Sequence, residues 1–187
     1  GHPVRANLKP TLADGLAVPR IGDNAFALAQ SRVDEVVLVS EEEIALAILR
    51  LIELEKGVVE GAGATPLAAV LAGKLPDLKG QRIALVLCGG NIDPAVLGRV
   101  IEHGLVVDGR LARFTAYISD RPGGLQEFAS VVASTGASIK QVEHERAFAS
   151  VDIARVQVLA TVEVRDHAHI EILYRALSER GMQVVAK

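Results

Sequence analysis

The chain has 187 residues, half of them apolar and 23% charged, with a formal net charge of −3, so it can build a core and is not expected to be disordered. Scattered basic residues, four Phe, two Tyr and no Trp offer neither a cationic surface nor a stacking platform for nucleic acid, and the apolar runs are far shorter than the roughly 20 residues that span a bilayer. A single cysteine, Cys88, excludes an internal disulfide and fits a reducing cytosol, so we expect a cytoplasmic protein with no nucleic-acid or membrane partner.

The first half alternates between helical and strand patterns. The predicted elements are, in chain order, helix Asp23–Ser31, strand Glu35–Val39, helix Glu41–Lys56, helix Thr65–Lys74, strand Arg82–Leu87 and helix Asp93–His103. This alternation indicates an α/β fold with a parallel sheet. Two strands cannot bury both their faces against four helices, so this half is predicted to be part of a larger domain.

Local signals set the ends of these helices. Ser40 and Glu43 have the spacing of a capping box in front of the second helix. Gly57 and Gly104 are predicted to end the second and fourth helices, because glycine readily adopts the left-handed backbone of a helix terminus. Asp93 is predicted to cap the fourth helix.

A domain boundary is predicted between residues 107 and 108, where Asp108-Gly109 is a turn signal and the pattern changes. The elements predicted after it are strand Arg110–Ile118, helix Leu125–Thr135, strand Ser138–Arg146, a hairpin at Ala147–Asp152, strand Ile153–Val164, helix His167–Arg180 and strand Met182–Ala186. The order βαββαβ is that of the ferredoxin-like fold, in which two helices cover four antiparallel strands.

Two motifs in the second half have the spacing of a known regulatory module. They are Ile118-Ser119-Asp120-Arg121-Pro122-Gly123-Gly124-Leu125 and Thr135-Gly136-Ala137-Ser138-Ile139. On these motifs, residues 108–187 resemble an ACT domain, the amino-acid-sensing module of metabolic enzymes. The resemblance implies a homo-oligomer formed through these domains and an effector site made of Asp120, Arg121, Pro122, Gly123, Gly124 and Leu125.

Within that loop, backbone donors at a helix N-terminus suit an amino-acid carboxylate, and Asp120 suits an ammonium group. The alternative is that Asp120 only caps the following helix and that the domain merely dimerises. His144 and Arg146 are expected at an interface or in solvent.

Three motifs in the first half occur in a characteristic order. They are Thr11-Leu12-Ala13-Asp14-Gly15, Glu60-Gly61-Ala62-Gly63-Ala64 and Cys88-Gly89-Gly90-Asn91. In order and spacing they resemble the pyridoxal-phosphate-dependent threonine dehydratases and serine racemases. The whole chain thus looks like the carboxy-terminal part of a threonine or serine ammonia-lyase, with residues 1–107 forming part of a fold-type-II catalytic domain.

The resemblance implies pyridoxal 5'-phosphate as cofactor, with binding residues Cys88, Gly89, Gly90, Asn91, Glu60, Asp14 and Gly15. Cys88 would contact the pyridine nitrogen of the cofactor, and Glu60 would shape the hydrogen bonding around the ring and substrate. For Cys88 the alternatives are a buried structural cysteine or a nucleophile, and for Glu60 a helix-capping carboxylate. The five histidines have no metal-binding spacing, so no metal site is expected.

The chain departs from the family in two features. No lysine of this chain has the sequence context expected of the Schiff-base lysine, and the glycine-rich loop that holds the cofactor phosphate is missing. The isolated chain is therefore predicted to be inactive. A longer parent protein is expected to convert L-threonine, or L-serine, to 2-oxobutanoate or pyruvate and ammonia by β-elimination. The resemblance associates this activity with isoleucine biosynthesis and with allosteric control. The alternative is an amino-acid-binding ACT module for regulation or oligomerisation, without catalysis.

Overall fold

The computed structural model describes residues 1–145 and 154–187, which form two compact units, Gly1–Gly104 and Leu105–Lys187. The division falls three residues before the predicted boundary. The predicted hairpin Ala147–Asp152, together with Arg146 and Ile153, lies outside the described residues.

Helices make up the regular structure of the first unit. They are α1 (Asp23–Ala29), α2 (Glu41–Arg50), α3 (Gly61–Leu71) and α4 (Pro94–Val107), the last of which contains the division between the units. Short 3-10 turns occur at Asp14–Leu16 and Pro76–Leu78. No helix in the described part of the chain has the length and apolar content needed to cross a membrane.

The predicted capping box of α2 is confirmed. The Ser40 backbone N–H donates to Glu43 Oε2 at 2.8 Å, and the Glu43 N–H donates to Ser40 Oγ at 3.3 Å. The helix continues as a π-helical segment over Leu51–Glu55. It ends one residue earlier than predicted, because Lys56 rather than Gly57 takes the left-handed conformation, with φ at 57°.

The two strands predicted in the first unit are wrong. Residues 35–39 and 82–87 have no regular secondary structure, and apolar side chains in both segments are exposed. A strand is defined by hydrogen bonds to a neighbouring strand, and the described residues of this unit supply no neighbour. The predicted parallel sheet is therefore not found, and the sheet in the described part of the chain is antiparallel.

Two glycines predicted to lie outside helices lie within them. Helix α3 begins at Gly61 rather than at Thr65, and α4 continues through Gly104 to Val107. A methyl group on Gly104 would lie 3.0 Å from the Ala45 carbonyl oxygen, so this glycine allows close helix packing instead of ending the helix. The predicted cap of α4 is confirmed, because Asp93 Oδ1 accepts from the N–H groups of residues 95 and 96 at 2.8 and 3.2 Å.

The core of the first unit is small and built mainly from alanines. Helix α2 supplies its centre, and α3 and α4 add to it. The buried members are Ala13, Ile44, Ala45, Ala47, Ile48, Leu51, Ala64, Ala68 and Val100. Small side chains bring these backbones close together, which positions the loops between them.

The second unit has the predicted βαββαβ order. Its elements are β1 (Leu111–Ser119), α5 (Gly124–Ser134), β2 (Ser138–Glu145), β3 (Arg155–Glu163), α6 (His167–Glu179) and β4 (Gln183–Ala186). The strands form one antiparallel sheet in the order β2-β3-β1-β4, with Phe114 opposite Ala160 and Ala186. Gly136 and Gly181 follow the two helices with φ at 86° and 73°, as predicted for helix stops.

The helices cover one face of this sheet. Phe114 of β1 and Phe128 of α5 are fully buried, with ring centroids 6.3 Å apart. His169 of α6 is also buried: its Nδ1 accepts from the Arg165 N–H at 3.2 Å, which leaves the Nε2–H to donate to the Thr135 carbonyl at 2.8 Å. The second unit is thus held by an apolar core and by one satisfied buried histidine.

Candidate functional site

A cavity of about 640 Å³ lies in the first unit, between its loops and helix ends. Its lining includes Asp14, Glu60 and Asn91, three of the predicted cofactor-binding residues. The remaining lining residues are Thr11, Leu12, Ile48, Gly61, Ile92, Asp93, Pro94 and Val96. The cavity therefore brings together residues from all three sequence motifs. Two of these residues, Asp14 and Glu60, are more than forty positions apart in the chain.

The three motifs touch one another through glycines. A methyl group on Gly61 would overlap the Leu12 carbonyl oxygen, and one on Gly63 would overlap the Cys88 carbonyl oxygen. The first contact joins the loop before Gly15 to the start of α3, and the second joins α3 to the loop at Cys88. Only residues without a side chain permit these approaches, so the glycines of the motifs build the site through backbone packing.

Glu60 stands at the centre of this arrangement. It occupies the N-cap position of α3, but its side chain makes no capping hydrogen bond, so the helix-capping alternative is wrong. Its backbone N–H donates to the Gly89 carbonyl at 2.8 Å, and its carboxylate lies against Gly89, where a methyl group would overlap it. A methyl group on Gly15 would lie 3.6 Å from Glu60 Oε1. The half-buried carboxylate therefore lies between two predicted site loops.

Cys88 is exposed, so the alternative of a buried structural cysteine is wrong. It is followed by Gly89 with φ at 80°, a conformation that favours glycine. Four of the predicted cofactor-binding residues do not line the cavity itself but lie in the loops that form its border: Gly15, Cys88, Gly89 and Gly90. A methyl group on Gly90 would lie 3.3 Å from the Val58 carbonyl oxygen.

The polar groups at the cavity fit one end of the implied cofactor. Carboxylates, an amide and a hydroxyl line it, and the exposed thiol lies in the adjoining loop. These groups suit the ring nitrogen and ring substituents of pyridoxal phosphate and an amino-acid amine. The cavity lining contains no Lys or Arg for the phosphate, so these residues fit the ring end of the cofactor only.

Sequence reasoning missed several residues of the cavity. Ile48 and Val96 reach it from α2 and α4, and Asp93 borders it while capping α4. Both residues lie in helices that the sequence predicted, Glu41–Lys56 and Asp93–His103, but the helical pattern does not distinguish a core position from a cavity wall.

The predicted effector loop forms a tight turn in the second unit. The Gly124 N–H donates to the Arg121 carbonyl at 3.0 Å, and Gly123 has φ at 96°. The N-cap of α5 is Gly123 rather than Asp120. Asp120 is half-buried, and its backbone N–H donates to the Ala154 carbonyl at 3.1 Å.

A cavity of about 250 Å³ borders this loop. Arg121 and Gly124 line it, whereas Asp120, Pro122, Gly123 and Leu125 do not. The other lining residues are Tyr117, Ile118, Ser119, Glu127, Ala154, Arg155, Arg180, Gly181 and Met182. His144, on β2, is exposed.

Comparison with known proteins shows what the chain is similar to. Residues 1–89 match the family of pyridoxal-phosphate-dependent enzymes. Over 184 residues, 98% of the chain, the sequence is 45% identical to an L-threonine ammonia-lyase of Thermotoga maritima and 44% identical to one of Geobacter sulfurreducens. The resemblance to the pyridoxal-phosphate-dependent threonine dehydratases is therefore confirmed.

The match covers only part of these relatives. The chain spans 45% of the length of the Thermotoga protein and 46% of the Geobacter protein. Among solved structures, a threonine deaminase from T.th. is 40% identical, with 48% of this chain and 32% of that chain covered and a TM-score of 0.44.

Proposed function

We propose that these residues form part of a longer polypeptide, the parent protein, which deaminates L-threonine, and L-serine as a second substrate, with bound pyridoxal 5'-phosphate. The observation that carries the proposal is the convergence of the three motifs on one cavity, with Asp14, Glu60 and Asn91 in its lining. The relatives named L-threonine ammonia-lyase, which match the chain over 98% of its length, support the same activity. When bound, the cofactor supplies an electron-withdrawing ring that labilises the α-proton and β-hydroxyl of the substrate.

In this proposal each residue of the chain has a limited task. The Cys88 thiol contacts the pyridine nitrogen, which a thiol, unlike a carboxylate, does not hold protonated. This weaker polarisation favours loss of the β-hydroxyl over transamination. Glu60 accepts hydrogen bonds around the ring and the substrate amine, while Asp14 and Gly15 border the entrance. Gly89 and Gly90 let the ring approach the backbone.

The α-proton is removed by a group that this chain does not provide in a recognisable context. Its lysines are Lys9, Lys56, Lys74, Lys79, Lys140 and Lys187. We propose that the Schiff-base lysine belongs to the part of the relatives that this chain does not span. The isolated 187 residues should then neither bind the cofactor covalently at a defined site nor turn over threonine.

Substitutions at Cys88 test the proposal in the parent protein. Cys88→Ser should retain most of the threonine deamination, because a hydroxyl makes the same contact with the ring nitrogen. Cys88→Asp should hold that nitrogen protonated, slow 2-oxobutanoate release and increase formation of pyridoxamine phosphate. Cys88→Ala serves as the control that removes the contact without adding a charge. A Cys88→Asp variant as active and as clean as the unsubstituted parent would contradict the assignment.

We further propose that the second unit is an ACT domain that assembles the parent protein into a homo-oligomer and binds an amino-acid effector. The βαββαβ order and the turn at Gly123 and Gly124 support this assignment. The effector carboxylate would meet the N-terminus of α5, and Asp120 would meet its ammonium group. An effector changes activity only if it binds one arrangement of the protein more tightly than another.

Two variants of the parent protein separate assembly from sensing. Deletion of residues 110–187 should lower the oligomeric state and abolish any effector response, with basal deamination partly retained. Asp120→Ala should weaken effector binding and leave the oligomer intact. Calorimetry with isoleucine, valine, threonine and serine provides the measurement. Heat no greater than dilution for all four amino acids would reduce the unit to an oligomerisation element.

A further inference from the structure

The loop that carries Asp14 is held by a carboxylate from another element. Glu41 is the first residue of α2 and is half-buried. Its Oε1 accepts a hydrogen bond from the Thr11 hydroxyl at 2.6 Å, and its Oε2 accepts one from the Leu12 backbone N–H at 2.7 Å. The two bonds join residues 30 and 29 positions apart in the chain. Both oxygens of one carboxylate therefore fix two successive residues of the loop.

The same stretch of loop is confined from its other side. The Leu12 carbonyl oxygen fills the space where Gly61 would carry a side chain. The Thr11 hydroxyl, which donates to Glu41, also accepts from the Ala13 N–H at 3.1 Å. The Leu12 peptide is thus held through its N–H by α2 and through its carbonyl by packing on α3.

This restraint acts where the loop enters the cavity. The 3-10 turn Asp14–Leu16 follows directly. Gly15 in this turn packs on Ala62, because a methyl group on Gly15 would lie 3.1 Å from Ala62 Cβ. Hydrogen bonds to a charged acceptor are about twice as strong as neutral ones. A carboxylate is therefore a stiff support for the turn, and its loss would let Asp14 and Gly15 move relative to Glu60.

We propose that Glu41 is a positioning residue of the candidate site, which holds the Thr11–Ala13 stretch so that Asp14 and Gly15 stand beside Glu60. The identity of the ligand in the cavity rests on the proposed function, whereas the hydrogen bonds of Glu41 to Thr11 and Leu12 do not. Sequence reasoning gave Glu41 only the role of a residue in the first turn of a helix.

The first test uses the 187-residue chain and Glu41→Gln, in which the amide cannot accept both bonds. Amide hydrogen exchange at Leu12, followed by NMR, should become about tenfold faster or more. Glu42→Gln is the matched control: it removes a carboxylate from the same turn of α2, but Glu42 is exposed, and the bonds to Thr11 and Leu12 come from Glu41. Exchange at Leu12 in that control should equal that of the unsubstituted chain. Equal exchange in Glu41→Gln would overturn the proposal.

The second test uses the parent protein. Glu41→Gln and Thr11→Val should each lower kcat/KM for threonine about tenfold, while Thr11→Ser, which keeps the hydroxyl, should restore it. Faster exchange at Leu12 with unchanged kcat and KM would overturn the positioning role. If the unsubstituted parent does not deaminate threonine, the proposed function fails, and exchange at Leu12 still decides whether Glu41 fixes the loop.

Discussion

The same substitution at two helical glycines should have opposite effects on stability. Gly63 lies in α3 and is buried, whereas Gly98 lies in α4, is exposed and has no atom within 4 Å of an added methyl group. Alanine in a helix is favoured over glycine by about 0.5–1 kcal/mol. Gly98→Ala should therefore raise the free energy of unfolding by that amount.

Gly63→Ala gains the same intrinsic preference but meets occupied space. The added methyl group would overlap the Cys88 carbonyl oxygen and lie 2.8 Å from Val59 Cγ1. Inserting a methyl group into a packed site costs about 1–3 kcal/mol, and the upper half of that range applies because backbone atoms must move. The net result is a loss of about 1–2 kcal/mol, or about 2–3 kcal/mol relative to Gly98→Ala.

Urea unfolding followed by helical circular dichroism measures the difference. With an m value of about 1–2 kcal/mol per molar urea, Gly63→Ala should lower the midpoint by about 1 M and Gly98→Ala should raise it by about 0.5 M. Equal slopes in the two variants are required for the comparison. A higher midpoint for Gly63→Ala would refute the reasoning, because it would mean that the loop at Cys88 does not pack on α3.

Two further predictions concern single side chains. The pKa of Glu43 lies below its ordinary value because the carboxylate accepts from the Ser40 N–H and pairs with Lys74. The ionised carboxylate therefore stabilises the folded state; this contribution is complete above about pH 4.5 and is lost as the pH falls through the lowered pKa. Glu43→Gln should flatten the acid limb of a profile of melting temperature against pH, and an unchanged limb would contradict this. Thr115 has a buried hydroxyl without a hydrogen-bond partner among the described residues, so Thr115→Val should leave the free energy of unfolding unchanged or raise it by about 1 kcal/mol. A clear loss in denaturant unfolding would count against it.

The sequence predicted best those elements whose determinants are local. The capping box at Ser40 and the cap at Asp93 depend on residues two or three positions away, and both are present. The strands of the second unit find their partners within that unit, and the pattern of alternation and helix stops sufficed for the element order. In the first unit the apolar runs 35–39 and 82–87 have the local pattern of strands, but a strand also needs a partner strand, and the described residues of that unit supply none.

Glycine was the residue most often misinterpreted. Gly104 was expected to end a helix and Gly61 to precede the helix predicted from Thr65, yet both lie in helices where another backbone or side chain comes close. A sequence shows that a side chain is missing but not whether its absence serves a turn or a close contact. The motif that contains Gly61 and Gly63 still identified the candidate site, because resemblance to a family carries information on contacts that local propensity lacks.

The exposed apolar segments of the first unit are expected to promote aggregation of the isolated chain. Val36-Val37-Leu38-Val39 and Ile83-Ala84-Leu85-Val86-Leu87 contain no charge, proline or glycine, and Val36 and Val86 are 79% and 74% exposed. Such segments add readily to strands of other molecules and are typical starting points of amyloid-like aggregation. These segments are therefore expected to limit the concentration at which the isolated chain stays in solution, and a charged substitution within either segment is the direct way to raise that limit.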